Sequence, residues 1–188
     1  MARKLGGALT ALILALPASA TASTFVHVST RELTARADAV IRGKILEVHS
    51  FWNDSATMIL TEALVRVDET LVGEAPAYVT LRTFGGTVGD YTIEAAGFPE
   101  FRQNESMVAF IKAIDGGRHE VLGYREGQYR VMRSRSGEIL AVSMVENEAR
   151  YLSPDGRVDN EPRVLPLGDL AQRIRQFGRA AGRVVDGE

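Results

Sequence analysis

Residues 84–112 read FGGTVGDYTIEAAGFPEFRQNESMVAFIK. Three glycines open the stretch (Gly85, Gly86, Gly89), a short strand-like run follows, and Gly97-Phe98-Pro99-Glu100-Phe101 breaks it. A polar turn then leads into Met107–Ala113, an apolar run of the kind that a central strand shows. A phosphate cradle needs its glycines to run into a helix N-terminus. Here both flanks read as strand, and no GKS or GKT follows. The glycines therefore supply positive φ in a sharp β connection. The stretch places an aromatic cluster beside structural punctuation and carries no catalytic constellation.

Working outward toward the N-terminus, the chain keeps to strands. Thr57–Leu71 alternates over its length, with Ile59, Thr61, Ala63, Val65 and Val67 on one face. Period two of this length is a half-buried strand. Tyr78–Thr83 repeats the pattern with Val79 and Leu81 inward. Ala39–His49 is a further strand whose period slips near Gly43, the mark of a bulge or bend. Phe51-Trp52-Asn53-Asp54-Ser55 reads as a turn with two aromatics at its lip. Upstream, Ser29-Thr30-Arg31-Glu32 is a capping box with Val28 and Leu33 at the staple positions, predicting a short helix over Thr30–Ala37.

Toward the C-terminus, Asp115-Gly116-Gly117 is a hairpin signal. Glu120–Tyr124 is expected to pair back. Gln128–Arg133 and Glu138–Met144 form another hairpin around Ser134–Gly137, and Pro154-Asp155-Gly156 turns again. Leu167, Leu170, Ala171, Ile174 and Phe177 fall on one helical face, predicting an amphipathic helix over 168–179, with residues from Gly182 onward frayed. Seven or eight antiparallel strands with a short N-terminal and a C-terminal helix give an all-β barrel or a strongly twisted sheet. One domain is expected, with its core over 38–145.

The bulk properties bound the function. Arg3 and Lys4, the apolar run Leu5–Leu16 and Ala18-Ser19-Ala20 make a leader with a small-x-small cleavage site, so residues 1–20 read as a signal peptide. That run is shorter than the ~20 apolar residues a span requires, and no second apolar span follows. The protein is expected to be exported, periplasmic or secreted, from a bacterial cell. Removing the leader takes away two basic residues and moves the formal charge from −2 to −4. That balance argues against nucleic acid as a partner, which needs a basic footprint. There is no cysteine, which excludes disulfides, thiolate metal sites and a cysteine nucleophile.

Catalytic groups are sparse in pattern. His27, His49 and His119 are scattered, without a metal-type helical spacing. No HExxH and no GxSxG elbow occurs. Asp90, Glu94, Glu100 and Glu105 make the centre acidic, and a carboxylate-pair hydrolase ranks last among the readings. A solvated acidic face accounts for them more simply. Phe98 and Phe101, held about Pro99, are expected to plug the barrel end. The candidate binding residues are those of the rim: Phe51, Trp52, Gly85, Gly86, Asp90 and Tyr91. No catalytic or metal-ligating residue and no cofactor is assigned.

Several segments together resemble the NTR or TIMP-like version of the OB barrel. They are Asp38–Ile45 (DAVIRGKI), Val65–Gly73 (VRVDETLVG), Val79–Thr83 (VTLRT) and Phe101–Phe110 (FRQNESMVAF). The resemblance covers roughly residues 37–112 and implies an antiparallel OB-like β-barrel. Asn104 stands where that family usually has glycine, and asparagine tolerates the same left-handed backbone. The resembled inhibitors chelate a protease zinc through an N-terminal cysteine. This chain has none, so that mechanism is not carried over. What the resemblance implies is a non-enzymatic module binding a protein partner, a secreted protease being the class it points to. A polysaccharide-binding module using the same aromatics is the alternative.

Overall fold

The structure, a computed structural model, describes residues 28–145 and 163–184. The expected leader, His27 and the turn expected at Pro154–Gly156 lie outside the described residues. Helix α1 spans Thr30–Arg36, and its first turn is closed by Ser29, whose Oγ accepts from the Glu32 amide at 3.2 Å. Val28 packs against the cluster that contains Leu33, as a staple requires. The strands that follow are β1 (Ala39–Trp52), β2 (Ile59–Gly73), β3 (Tyr78–Phe84), β4 (Gly86–Val88), β5 (Tyr91–Ile93), β6 (Ser106–Ile114), β7 (Arg118–Val121), β8 (Gln128–Arg133), β9 (Ile139–Ser143) and β10 (Val164–Pro166). Helix α2 spans Leu167–Ala180.

The fold is all-β with two flanking helices. The main sheet runs β1-β2-β3-β7-β6-β8-β9-β10, and β6 also pairs with β1. Five strands therefore close into a ring, β1-β2-β3-β7-β6, while β8, β9 and β10 extend from it. β1 is bent by register shifts at Val40/Ile41, Arg42/Gly43 and Ile45/Glu47. Bulges of this kind let one long strand serve two neighbours around a curve. Gly43 is needed there, since a Cβ would lie 2.5 Å from the Arg66 carbonyl oxygen. Asn104 takes the left-handed backbone, φ 69°.

Side-chain alternation builds two cores on opposite faces of the same strands. Ile41, Ile45, Ala63, Val65, Leu81, Met107, Ala109 and Ile111 fill the ring. Val40, Leu71, Val72, Val108 and Phe110 face the other way and pack with Leu33, Leu170 and Ile174 of the helices. Residues 107–111 of β6 are buried on both faces, which is why this strand reads as a continuous apolar run. The helices are linked to each other by Arg31 over the Phe177 ring at 5.1 Å.

The structure corrects several expectations. The strands are not all antiparallel, since β3 meets β7 in parallel, and the strand expected over Glu120–Tyr124 is β7, Arg118–Val121, with Tyr124 in the tight turn that follows. Phe51 and Trp52 are the last residues of β1, and the turn comprises residues 53–58. The strand-like run expected between Gly89 and Gly97 covers only Tyr91–Ile93. Phe101 belongs to the ring core, but Phe98 lies outside it, so the two do not form one plug. Gly182–Val184 is tied down: the Val184 carbonyl accepts from the Gly73 amide at 2.8 Å, and Arg183 donates to the carbonyls of Ala37 and Asp38.

Candidate functional site

The end of the ring near Trp52 is built by β1, β2 and the hairpin β4–β5. Strand alternation puts Phe51 and Trp52 on opposite faces. Trp52 pairs with Ile59 and meets Tyr91 edge-on at 5.8 Å. Tyr91 is itself largely exposed, and Asp90 lies beside it in the hairpin turn. The hairpin is pinned by a short polar chain. Ser50 Oγ and Thr61 Oγ1 are 2.8 Å apart, Thr61 Oγ1 donates to the Gly85 carbonyl at 2.6 Å, and the Gly85 amide donates to the Ile59 carbonyl at 2.9 Å. Gly86 sits on the same two hydroxyls so closely that a Cβ would collide with both, and its φ is 131°. Gly85 and Gly86 therefore seat the hairpin, leaving Trp52, Asp90 and Tyr91 as the surface of this rim.

Phe51 belongs to a different surface. It stacks on His49 (centroids 5.8 Å, planes 14°), and the Arg82 guanidinium lies over its ring at 5.9 Å. Across the outward face of the ring, Phe51 pairs with Leu60, and Leu60 pairs with Phe84. Phe84 meets Phe98 edge-on at 5.1 Å, and Phe98 meets Tyr124 edge-on at 4.8 Å. An apolar row thus runs from Phe51 through Leu60, Phe84 and Phe98 to Tyr124. Phe84 is 45% and Tyr124 51% exposed although each packs edge-on against Phe98. The next residues along the strands carry charge: Glu62 is held by Arg82 and by Arg118, each at 2.6 Å.

Two features hold the far end of the row. Arg125 donates to the Phe98 carbonyl at 2.8 Å and to Glu100 at 2.6 Å, fixing the 97–100 loop to the turn after β7. Tyr124 has φ 58°, left-handed backbone in an aromatic residue. That geometry is costly for a bulky side chain and persists only where surrounding structure imposes it. Tyr124 stands between two hollows. One, of about 400 Å³, lies under α1 and includes Leu33, Gly97 and the buried Glu126. The other, of about 270 Å³, lies between Phe84, Phe98 and Ile114.

The other polar side chains of the centre and of the β8–β9 turn make structural contacts. Glu100 pairs with Arg125, and Glu105 with Arg130 at 3.0 Å. Ser134 and Ser136 hydrogen-bond to each other within their turn at 2.8 Å. His49 lies on the outer face of β1 and His119 on β7. Among the described residues, no three of His, Cys, Asp or Glu gather as a metal site would require, and no helix is long and apolar enough to cross a membrane.

The six rim residues therefore divide between two faces, and Leu60, Phe84, Phe98 and Tyr124 were missed as a surface. Outward apolar residues at Leu60 and Phe84, within otherwise alternating strands, were the available signal. Comparison with protein-family models, with curated proteins and with solved structures gives no match.

Proposed function

We propose that this chain is an exported, non-enzymatic interaction module on an OB-like barrel of the NTR/TIMP-like type, and that it binds a protein partner through the outward aromatic row. A five-stranded, partly open Greek-key ring is the OB arrangement, and the ring order β1-β2-β3-β7-β6 supports that assignment. The observation that carries the functional reading is the continuity of Phe51, Leu60, Phe84, Phe98 and Tyr124 across three strands and two loops. Single exposed apolar residues need no explanation, whereas a contiguous patch rimmed by charge marks an interaction surface. The rim is charged by Glu62, Arg82 and Arg118. A secreted protease remains the partner class that the family resemblance points to.

The test is capture from the native secretome with the chain 21–188, run beside Phe84→Ala and Trp52→Ala and read by mass spectrometry. One protein enriched by the parent chain and by Trp52→Ala, and lost with Phe84→Ala, supports the row. Loss only with Trp52→Ala returns the contact to the rim. Clean beads together with retention on a polysaccharide panel would replace the protein partner with a glycan.

A further inference from the structure

We infer that the outer half of β1, residues 47–52, is a dimer edge that pairs antiparallel with the same residues of a second copy of this chain. The inference rests on backbone pairing and stands apart from the outward row.

β2 runs beside β1 along its whole length, from Ala39 with Gly73 to Trp52 with Ile59. On the other edge of β1, β6 pairs only with residues 39–44. The turn before β6 closes the next step. The Ile45 amide donates to the Glu105 carbonyl at 2.9 Å, the Asn104 amide to the Ile45 carbonyl at 2.8 Å, and Gln103 Nε2 to the Leu46 carbonyl at 2.8 Å. From Glu47 to Trp52 no strand pairs with this edge among the described residues.

Two bonds fix the direction of each backbone group there. The Asn53 amide donates to the Met58 carbonyl, and the Gly85 amide donates to the Ile59 carbonyl, each at 2.9 Å. Bonded and non-bonded pairs alternate along an antiparallel ladder. Phe51–Leu60, His49–Glu62 and Glu47–Leu64 are therefore the bonded pairs of β1 with β2. The N–H and C=O groups of Val48, Ser50 and Trp52 point the other way, into the free edge. Such a row is a template for a further strand, and proteins blunt it with proline, lysine, bulges or shortness. β10, at the end of the sheet, is blunted: it has three residues and finishes in Pro166. Residues 47–52 hold no proline and no lysine, and their register with β2 runs without a shift.

Self-complementarity selects a second copy as the occupant. A two-fold axis at Ser50 puts all three edge-facing residues into bonded pairs, Ser50 facing Ser50 and Val48 facing the second copy's Trp52 in each direction. His49 then faces the second copy's Phe51, Glu47 faces Asn53, and no like charges are opposed. An axis at His49 would set His49 against itself and draw in the Leu46 carbonyl, which Gln103 already holds. An axis at Phe51 would keep only the Ser50–Trp52 pairs within the strand. The Ser50 arrangement also joins the two outward rows at Phe51, making one apolar surface across an isologous interface.

Sedimentation equilibrium of the chain 21–188 should give twice the mass of one chain. Val48→Pro removes an edge-facing N–H but no bond to β2, and should give the mass of one chain. A second measurement reads the register without a proline variant. The chain has no cysteine. With the axis at Ser50, positions 49 and 51 of opposite copies form a non-bonded pair with Cα atoms about 4.5 Å apart, within disulfide reach. Two copies of position 49, or of position 51, lie roughly 7–8 Å apart on the diagonal, beyond that reach. His49→Cys and Phe51→Cys chains should therefore form a covalent dimer when mixed under mild oxidation, and neither should do so alone. Phe84→Ala should dimerise as the parent does while losing the captured partner, so the dimer and the outward row fail separately. A monomeric parent, a folded Val48→Pro chain that stays dimeric, or a crosslink formed by either cysteine chain alone would overturn the inference.

Discussion

The barrel has two seams of opposite character. Where β1 meets β6, six consecutive register pairs join the strands, from Ala39 with Ile111 to Lys44 with Ser106. Both faces of that seam are covered, one by the ring core and the other by the helices. Where β3 meets β7, one pair joins the strands, and the space beside it is a cleft walled by partly exposed rings. The first seam is buried along most of its length and leaves only Arg42, Lys44 and Ser106 partly exposed. The second spends almost no backbone pairing on itself and presents apolar area instead. The contrast teaches where to look in a closed sheet: a partner finds room at the weakest closure, because that is where side chains rather than ladder hydrogen bonds fill the gap.

The contrast can be broken most severely at the sealed seam. Phe110 is fully buried on the helix side of β6. Phe110→Ala should destabilise the fold by about 3–5 kcal/mol, as for large aromatic truncations in a core, measured by denaturant unfolding. A loss below about 1 kcal/mol would mean that this face is not packed as described.

A smaller effect is expected where the hairpin is seated. Gly86→Ala forces a methyl against Ser50 and Thr61 at a φ that L-residues avoid. The expected cost is roughly 1–3 kcal/mol, with a change in Trp52 fluorescence because Tyr91 is displaced from it. An unchanged melting temperature and spectrum would count against the pinned hairpin.

At the open seam, stability effects shrink while binding effects grow. Arg125→Ala removes the tie between Phe98, Glu100 and the turn after β7. About 1 kcal/mol of stability should be lost, and hydrogen exchange in residues 97–101 should accelerate while β6 is unaffected. Phe84→Ala should change stability by less than about 1 kcal/mol, because the ring is already half exposed, yet it should abolish partner capture. A large stability loss with capture intact would make Phe84 a packing residue only.

Legibility in the sequence followed the range of the interaction. The cap of α1 was readable because Ser29 and Glu32 are three residues apart and act on one turn. The strands were readable because Ile59, Thr61, Ala63 and Val65 repeat with the period of the pleat. The apolar run of β6 announced a central strand and proved to be buried on both faces. Phe51 and Trp52 were misread because β1 continues three residues beyond His49, and alternation then sends the two rings to opposite faces. Glu100 has a looser partner two residues on, Arg102 at 3.5 Å, but its closer one, Arg125, and the Arg130 partner of Glu105 each lie 25 residues away in the chain, beyond any local pattern. The outward row depends on the register of β2 against β3 and on where β3 leaves β7. Neither quantity is encoded in the spacing of any one segment.

The most direct test of the two-seam account is residue-resolved native-state hydrogen exchange on the chain 21–188. Cooperative units of differing stability show up as separate opening free energies. The account predicts that the amides of residues 107–111 exchange only through global unfolding, while those of β7 and of residues 82–84 open at lower free energy, in a step that leaves β1 and β6 protected. Uniform protection across both seams, lost in one transition, would contradict it.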